Sequence, residues 1–212
     1  LDIKSFYASI DQEKLMSILK KKIRKQEILL LIWSAIKTES LSYPVKEKIE
    51  RTQRSKGIPE GLPISNALAN IYMSGIDKKY QNIDGISYYR YVDDILILVN
   101  EEKFFAIKKE IAKDINELNE KKDEGKISEA FEYLGYTLSN DKVSVRKSSI
   151  LKLEQSMEDL FGEVKKENIE YLKWKLNLKI TGFILEKQKY GWMFFYSQIT
   201  DVNLLFHLDD VV

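Results

Sequence analysis

The sequence predicts an α+β fold in which an antiparallel sheet packs on helices, followed by a mainly helical part. Three observations carry this. The β-rich run from Ile86 to Asn100 turns back on itself around Val92-Asp93-Asp94, as a hairpin does. Apolar residues at helical spacing lie before and after it, so strands and helices are interleaved. Near Val145 the pattern changes and from Ser148 it is mainly helical, which places a domain boundary near 146.

Element by element, Leu1 to Tyr7 reads as a strand running straight into a turn. A strand beginning at its own terminus has little to pair with upstream, and no Met opens it, so the expectation is a segment of a longer protein. Residues 11–23 and 26–37 are helices, with Leu15, Ile18, Leu19 and Ile23 striping the first and Leu29, Ile32, Trp33 and Ile36 the second. Pro44, Gly57, Pro59 and Gly61 make 38–62 mostly loop. A helix follows from Pro63, with Ser65 as its cap. After the hairpin come a charged helix over 101–120, a polar loop and a short aromatic strand over 130–138. Ile169, Leu172, Leu176 and Ile180 stripe a late helix.

Composition narrows the chemistry. Among 212 residues, 34 Lys and Arg stand against 33 Asp and Glu, and 44% are hydrophobic, which excludes a disordered chain. The longest apolar runs, Ile28 to Trp33 and Ile95 to Val99, are far too short to span a bilayer, so no membrane partner and a cytoplasmic location are expected. With no Cys and a single His, His207, thiolate and His-rich metal sites are excluded. What remains must run on carboxylates, Lys, Ser or Tyr. The basic clusters Lys20 to Lys25 and Lys46 to Lys56 read either as solvated faces or as a phosphate-binding band.

Three carboxylates have the wrong neighbours for solvent charges. Asp2 heads an apolar strand, and Asp93 and Asp94 interrupt two β-rich runs. Adjacent Asp residues also suit a tight turn, and that reading is about as good when they are taken alone. If the strand of Asp2 lies beside the hairpin, the three acids converge, and a cluster of like charges calls for a divalent cation. Oxygen donors alone favour Mg²⁺. Two such ions about 3.5–4 Å apart can stabilise the attacking and leaving oxygens of phosphoryl transfer. The loop Lys56 to Asn66, with two Gly and two Pro, forms a rigid turn leading into a helix N-terminus, a place that favours anions.

The order of these pieces resembles reverse transcriptases. Leu1-Asp2-Ile3-Lys4-Ser5-Phe6-Tyr7-Ala8-Ser9-Ile10 is similar to the first palm motif of that family. Gly57 to Ser65, continuing to Ala69-Asn70-Ile71-Tyr72-Met73, is similar to the second. Tyr91-Val92-Asp93-Asp94 matches the Tyr-X-Asp-Asp box, and Phe131-Glu132-Tyr133-Leu134-Gly135-Tyr136 resembles the later palm strand that meets the primer. The style is closest to bacterial group II intron, retron and abortive-infection types, and the second motif's wording leans toward phage defence.

The resemblance implies a palm over 1–146, with a helical fingers/palm connection near 11–56, and a thumb over 147–212. The fingers motifs would lie upstream of Leu1, so this segment alone is expected to be inactive. The implied activity is RNA-directed DNA synthesis on a primer 3′-OH, with two Mg²⁺ ions (or Mn²⁺), a dNTP, an RNA template and a DNA or RNA primer. An associated non-coding RNA or a homo-oligomer is allowed as partner. Asp2, Asp93 and Asp94 would be catalytic and would hold the metals with the Ile3 carbonyl. Tyr7 or Phe6, Pro59, Glu60, Gly61 and Lys122 would meet the nucleotide, with Tyr7 as a gate against a ribose 2′-OH. Tyr91, Tyr133, Leu134, Gly135, Lys175 and Lys179 would meet primer and template. Each has a plainer alternative: one of Phe6 and Tyr7 as core, Lys122 among solvated charges, Lys175 and Lys179 as snorkelling residues of an amphipathic helix.

One departure stands out. Most relatives have Gln where this chain has Glu60, which puts a negative charge beside a triphosphate. Template-independent DNA synthesis of abortive-infection type is therefore a competing expectation, and a non-catalytic RNA-binding scaffold derived from a polymerase is another. A nucleotide cyclase is remote, since no Gly-Gly-Asp/Glu signature is present.

Overall fold

The computed structural model describes residues 1–38, 56–115, 124–163 and 169–211, and the chain divides into two compact units, Leu1–Asp123 and Glu124–Val212. Helices and small antiparallel sheets are mixed throughout, as an α+β fold requires. Among the described residues no helix is long and apolar enough to cross a membrane.

In the first unit, Ile3, Phe6 and Ile10 are all buried, a spacing that suits a helix better than a strand. The expected strand over 1–7 is accordingly reduced to a bridge at Asp2, after which Ser5, at φ 46°, turns the chain into α1 (Phe6–Ser9). The carboxylate of Asp11 accepts the Lys14 amide at 2.8 Å and starts α2 (Gln12–Lys20), which buries Gln12, Leu15, Met16 and Leu19. Helix α3 (Gln26–Ile36) buries Leu29 and Ile36. Lys20, Lys21, Lys22, Arg24 and Lys25 are exposed at the link between α2 and α3, while Lys46 to Arg54 lie outside the described residues.

Helix α4 (Ser65–Gln81) begins at Ser65, but that side chain does not cap it. Buried at 1% exposure, its hydroxyl donates to the Pro59 carbonyl and folds the preceding loop onto the helix. Strands β1 (Ile86–Tyr91) and β2 (Asp94–Val99) pair in the register Tyr91↔Asp94, leaving Val92 and Asp93 as a two-residue tip. Helix α5 (Glu101–Asp114) buries Ile107 and Ile111. The Asp114 carboxylate accepts from Lys79 at 2.6 Å and Tyr80 at 2.8 Å, tying α5 to α4. One apolar cluster runs through this unit from Ile3 to Ile115.

In the second unit, β3 (Phe131–Tyr133), β4 (Tyr136–Leu138) and β5 (Val143–Val145) form an antiparallel sheet. The single strand expected over 130–138 is thus a hairpin: Leu134 and Gly135 both take positive φ, 51° and 83°, and reverse the chain. Helices α6 (Lys147–Glu163) and α7 (Ile169–Ile180) follow. Next come the hairpin strands β6 (Phe183–Leu185) and β7 (Gln188–Tyr190), where the sequence pattern suggested helix. Helices α8 (Trp192–Phe195) and α9 (Val202–Val211) complete the unit. The Tyr136 hydroxyl donates to the Phe195 carbonyl at 2.6 Å, and Val143 and Thr200 exchange hydrogen bonds at 2.9 Å. Strands β3 to β5 therefore belong to the second compact unit, although the sequence pattern changes only near 146.

Candidate active site

Antiparallel pairing decides which acids meet. Leu1 and Ile95 exchange both backbone hydrogen bonds, at 2.8 and 2.9 Å, and the Ile3 amide donates to the Asp93 carbonyl at 3.3 Å. Asp2 and Asp94 therefore face each other as a non-hydrogen-bonded pair, bridged in the backbone. Side chains so opposed share one face, with Cβ atoms typically about 4.5–5.5 Å apart. Asp93 follows on the tip, and all three residues are half-buried. The opening segment thus lies against the paired-acid turn, the condition on which convergence depends. The side chains are nevertheless not drawn into a cage: among the described residues no group of three or more His, Asp and Glu is placed to hold an ion.

The tip is strained. Val92 sits at φ 56°, a left-handed conformation that a β-branched residue rarely adopts. A positive φ at the first tip residue of a two-residue hairpin is normally taken by Gly, Asn or Asp.

A second loop closes over the same face. The Ile58 amide donates to the Tyr7 carbonyl at 2.8 Å and the Gly57 amide to Ile10 at 2.7 Å. Gly57 is required: its φ is 90°, and a Cβ there would lie 3.1 Å from the Ala8 carbonyl oxygen. The amide of buried Gln12 holds the Gly57 carbonyl at 2.7 Å. Tyr7 is half-buried, and its hydroxyl is pushed above the ordinary phenol range by burial first, then by the charges of Asp93 and Glu60. That coupling puts Tyr7, Asp93 and Glu60 in one electrostatic neighbourhood. Phe6, by contrast, is 4% exposed in the core, so the ring open to a ligand is that of Tyr7. Pro59 is half-buried; Glu60, Gly61 and Tyr91 are exposed. Lys122 lies outside the described residues.

In the second unit, Tyr133 ends β3, and Leu134 and Gly135 form the β3–β4 turn. Lys175 lies over the Tyr171 ring at 4.9 Å. The ammonium of Lys179 is held by the Ser156 carbonyl at 2.6 Å and the Ser156 hydroxyl at 2.5 Å, so it is engaged on α6 rather than reaching outward.

Sequence reasoning missed Arg90, Asp77 and Asn70. The Asp77 carboxylate accepts Arg90 Nε at 2.8 Å and Nη2 at 2.6 Å, while Arg90 Nη1 donates to Asn70 at 3.2 Å and to the Val92 carbonyl at 2.7 Å. The Arg90 side chain is only 7% exposed. Its signal was an Arg on the inward alternation of β1, between buried Tyr88 and the tip.

The family model described as reverse transcriptase (RNA-dependent DNA polymerase) matches residues 1–176. The chain belongs to the reverse transcriptase family. No curated protein matches it. Membership in the reverse transcriptases supports polymerase chemistry of the nucleotidyltransferase class, and the family implies an RNA template, a primer and dNTPs. Reverse transcriptases generally use divalent metals, and the donors here fit one: opposed carboxylates on one face with no cysteine or histidine among them. Mg²⁺ is ordinarily held by one or two carboxylates together with substrate phosphates, so it requires no all-protein cage.

Proposed function

We propose that this reverse transcriptase chain is the palm and thumb of an RNA-directed DNA polymerase that adds deoxynucleotides to a primer 3′-OH. The observation that carries the reading is the direct opposition of Asp2 and Asp94, with Asp93 adjoining, from segments far apart in the chain. Like charges directly opposed are destabilising in a sheet, and a divalent cation held between them would offset that repulsion.

Asp2, Asp93 and Asp94, with the Ile3 carbonyl, are the residues that would hold divalent cations. Bound there, the two ions would stabilise charge on the attacking and leaving oxygens. Tyr7 presents its ring where a 2′-OH would be crowded, which favours deoxynucleotides. The Gly57–Ser65 loop, fixed by Gln12 and Ser65, lines the nucleotide's side of the site. Catalysis in phosphoryl transfer is positioning and electrostatics, and these residues supply both. The wording of the second motif supports a place among abortive-infection, phage-defence members.

Glu60 favours one alternative. Its charge reaches Tyr7 and would bear on template pairing and triphosphate binding, so synthesis without a template is the second reading. Primer extension by the full-length protein, with and without template RNA, tests both. The expected result is templated, Mg²⁺-dependent extension that Asp93→Asn abolishes. Extension by Asp93→Asn at the wild-type level sinks the assignment. RNA binding that persists in EDTA, with no synthesis at all, points to a scaffold instead.

A further inference from the structure

We propose that Arg90 is a positioning residue that holds the acidic tip in its strained conformation by clamping it to α4. The inference rests on the polymerase reading for its kinetic part alone.

The strained residue is Val92, at φ 56°, and its carbonyl is the group that Arg90 Nη1 grips at 2.7 Å. Such a conformation is costly and persists only where the surroundings over-determine it. The peptide between Val92 and Asp93 sets the direction in which Asp93 leaves the turn. A donor fixed on the Val92 carbonyl therefore fixes Asp93 as well.

Arg90 can do this because its own position is fixed. Its fork is bidentate on Asp77 of α4, it is nine-tenths buried, and Nη1 touches Asn70 on the same helix. The Tyr88 hydroxyl donates to Asp77 at 3.0 Å, which pins the carboxylate from a third side. A surface ion pair would add little, but this one spends two guanidinium nitrogens on Asp77 and shares the third between Asn70 and the turn. Lysine has no planar fork and cannot reproduce both contacts. On the other side of the tip the Ile3 amide donates to the Asp93 carbonyl at 3.3 Å.

The test separates the clamp from bulk stability. Replacing a buried ion pair by apolar residues is often neutral for stability, so the double variant Arg90→Met/Asp77→Leu is compared with Arg90→Lys and wild type. Hydrogen exchange is followed in a peptide covering 92–96 and in the ladder around Tyr88 and Ile97. Exchange at the tip is expected to quicken about tenfold in both variants, with the ladder unchanged, as loss of a local constraint requires. In primer extension, kcat falls about tenfold or more with KM for dNTP held within about twofold, because the acids and not the nucleotide pocket are displaced. In a Val92→Gly background the Arg90→Lys loss shrinks, since glycine needs no enforcement at positive φ. Tip exchange that rises only in step with the ladder, or kcat effects that simply add across Arg90 and Val92, overturns the proposal. Should Arg90→Met/Asp77→Leu not fold, Arg90→Lys, which keeps the charge beside Asp77, decides. Should wild type itself extend no primer, the polymerase reading falls while the exchange result still judges the clamp.

Discussion

Two hairpins in this chain carry strained tips without glycine, and their surroundings could hardly differ more. In β1–β2 the tip residue Val92 is backed by buried Tyr88 and Ile95, by the Arg90–Asp77 pair and by the bridge to Asp2. In β6–β7 the tip residues Glu186 and Lys187 have φ of 48° and 68°, yet every strand residue is exposed. Its support is local: Phe183 stacks on Tyr190 at 5.1 Å, and Gly182 abuts Gly191 so closely that a Cβ on Gly182 would fall on the Tyr190 carbonyl. Strain at the first tip is held by tertiary contacts, and at the second by little beyond the pairing itself. A two-stranded ribbon alone is marginal in water. Changes at the first tip should therefore act on chemistry, and changes at the second on local stability.

The largest expected effect tests the first half of that contrast. Asp93→Asn should lower primer-extension kcat on the order of a thousandfold, the size of losing one electrostatic group at a reacting centre. Thermal melting should move little, because removing one of several like charges relieves repulsion as it loses contacts. A large drop in melting temperature with activity preserved per folded molecule would reverse the contrast.

Next in size is Tyr7→Ala. Discrimination against ribonucleotides should fall by roughly tenfold or more, read as the ratio of kcat/KM for dNTP and rNTP, since a steric wall is removed rather than a bond. Unchanged sugar selectivity would leave Tyr7 with only its packing role beside Phe6.

The Glu60→Gln change is smaller still. One charge near a solvated triphosphate is worth a fraction of a kcal/mol to about 1 kcal/mol, so KM for dNTP should fall roughly two- to fivefold, less at high salt. A KM that does not respond to salt or to the substitution would remove Glu60 from the nucleotide's surroundings.

How much of this was legible follows from where each signal lives. Helices α2 and α3 were readable because burial imposes period 3.6 on their sequences, and the β1–β2 hairpin because two β-rich runs flank a turn. The opposition of Asp2 and Asp94 was readable only as a condition, since no local pattern reports which strands pair. The turn at Leu134-Gly135 was hidden inside an aromatic run that reads as one strand, and its single glycine was the only cue. The β6–β7 tip was hidden for a similar reason: Glu186-Lys187 lacks the Asn-Gly chemistry that marks such turns. Arg90 was passed over because a charge in a strand normally reads as solvent-facing, and only coordinates show Asp77 waiting on α4.

Acidity offers a smaller test elsewhere in the first unit. Asp114 lies below the usual carboxylate range, chiefly through its hydrogen bond from Lys79 and then that from Tyr80. A depressed folded value stabilises the fold above the unfolded pKa of about 3.9 and is lost as pH falls through the folded value. Asp114→Asn should therefore cost about 1 kcal/mol near pH 7, with the gap to wild type closing below about pH 4 in denaturant titrations. A gap that persists in acid would mean the side chain's shape, not its charge, ties α5 to α4.

The smallest expected effect lies at the second tip, and it bears most directly on the contrast. Lys187→Gly removes a side chain from a residue at φ 68°, where glycine is at ease and other residues are not. Relief of that strain should exceed the added freedom of the unfolded chain only slightly, for a net gain of about 0.5–1 kcal/mol. The expected gain is local to an exposed turn, so kcat should stay at the wild-type level while melting rises by a few degrees. If Lys187→Gly instead slows extension as much as loosening the Arg90 clamp does, the second tip is also part of the machinery, and exposure is a poor guide to which strained turns carry chemistry.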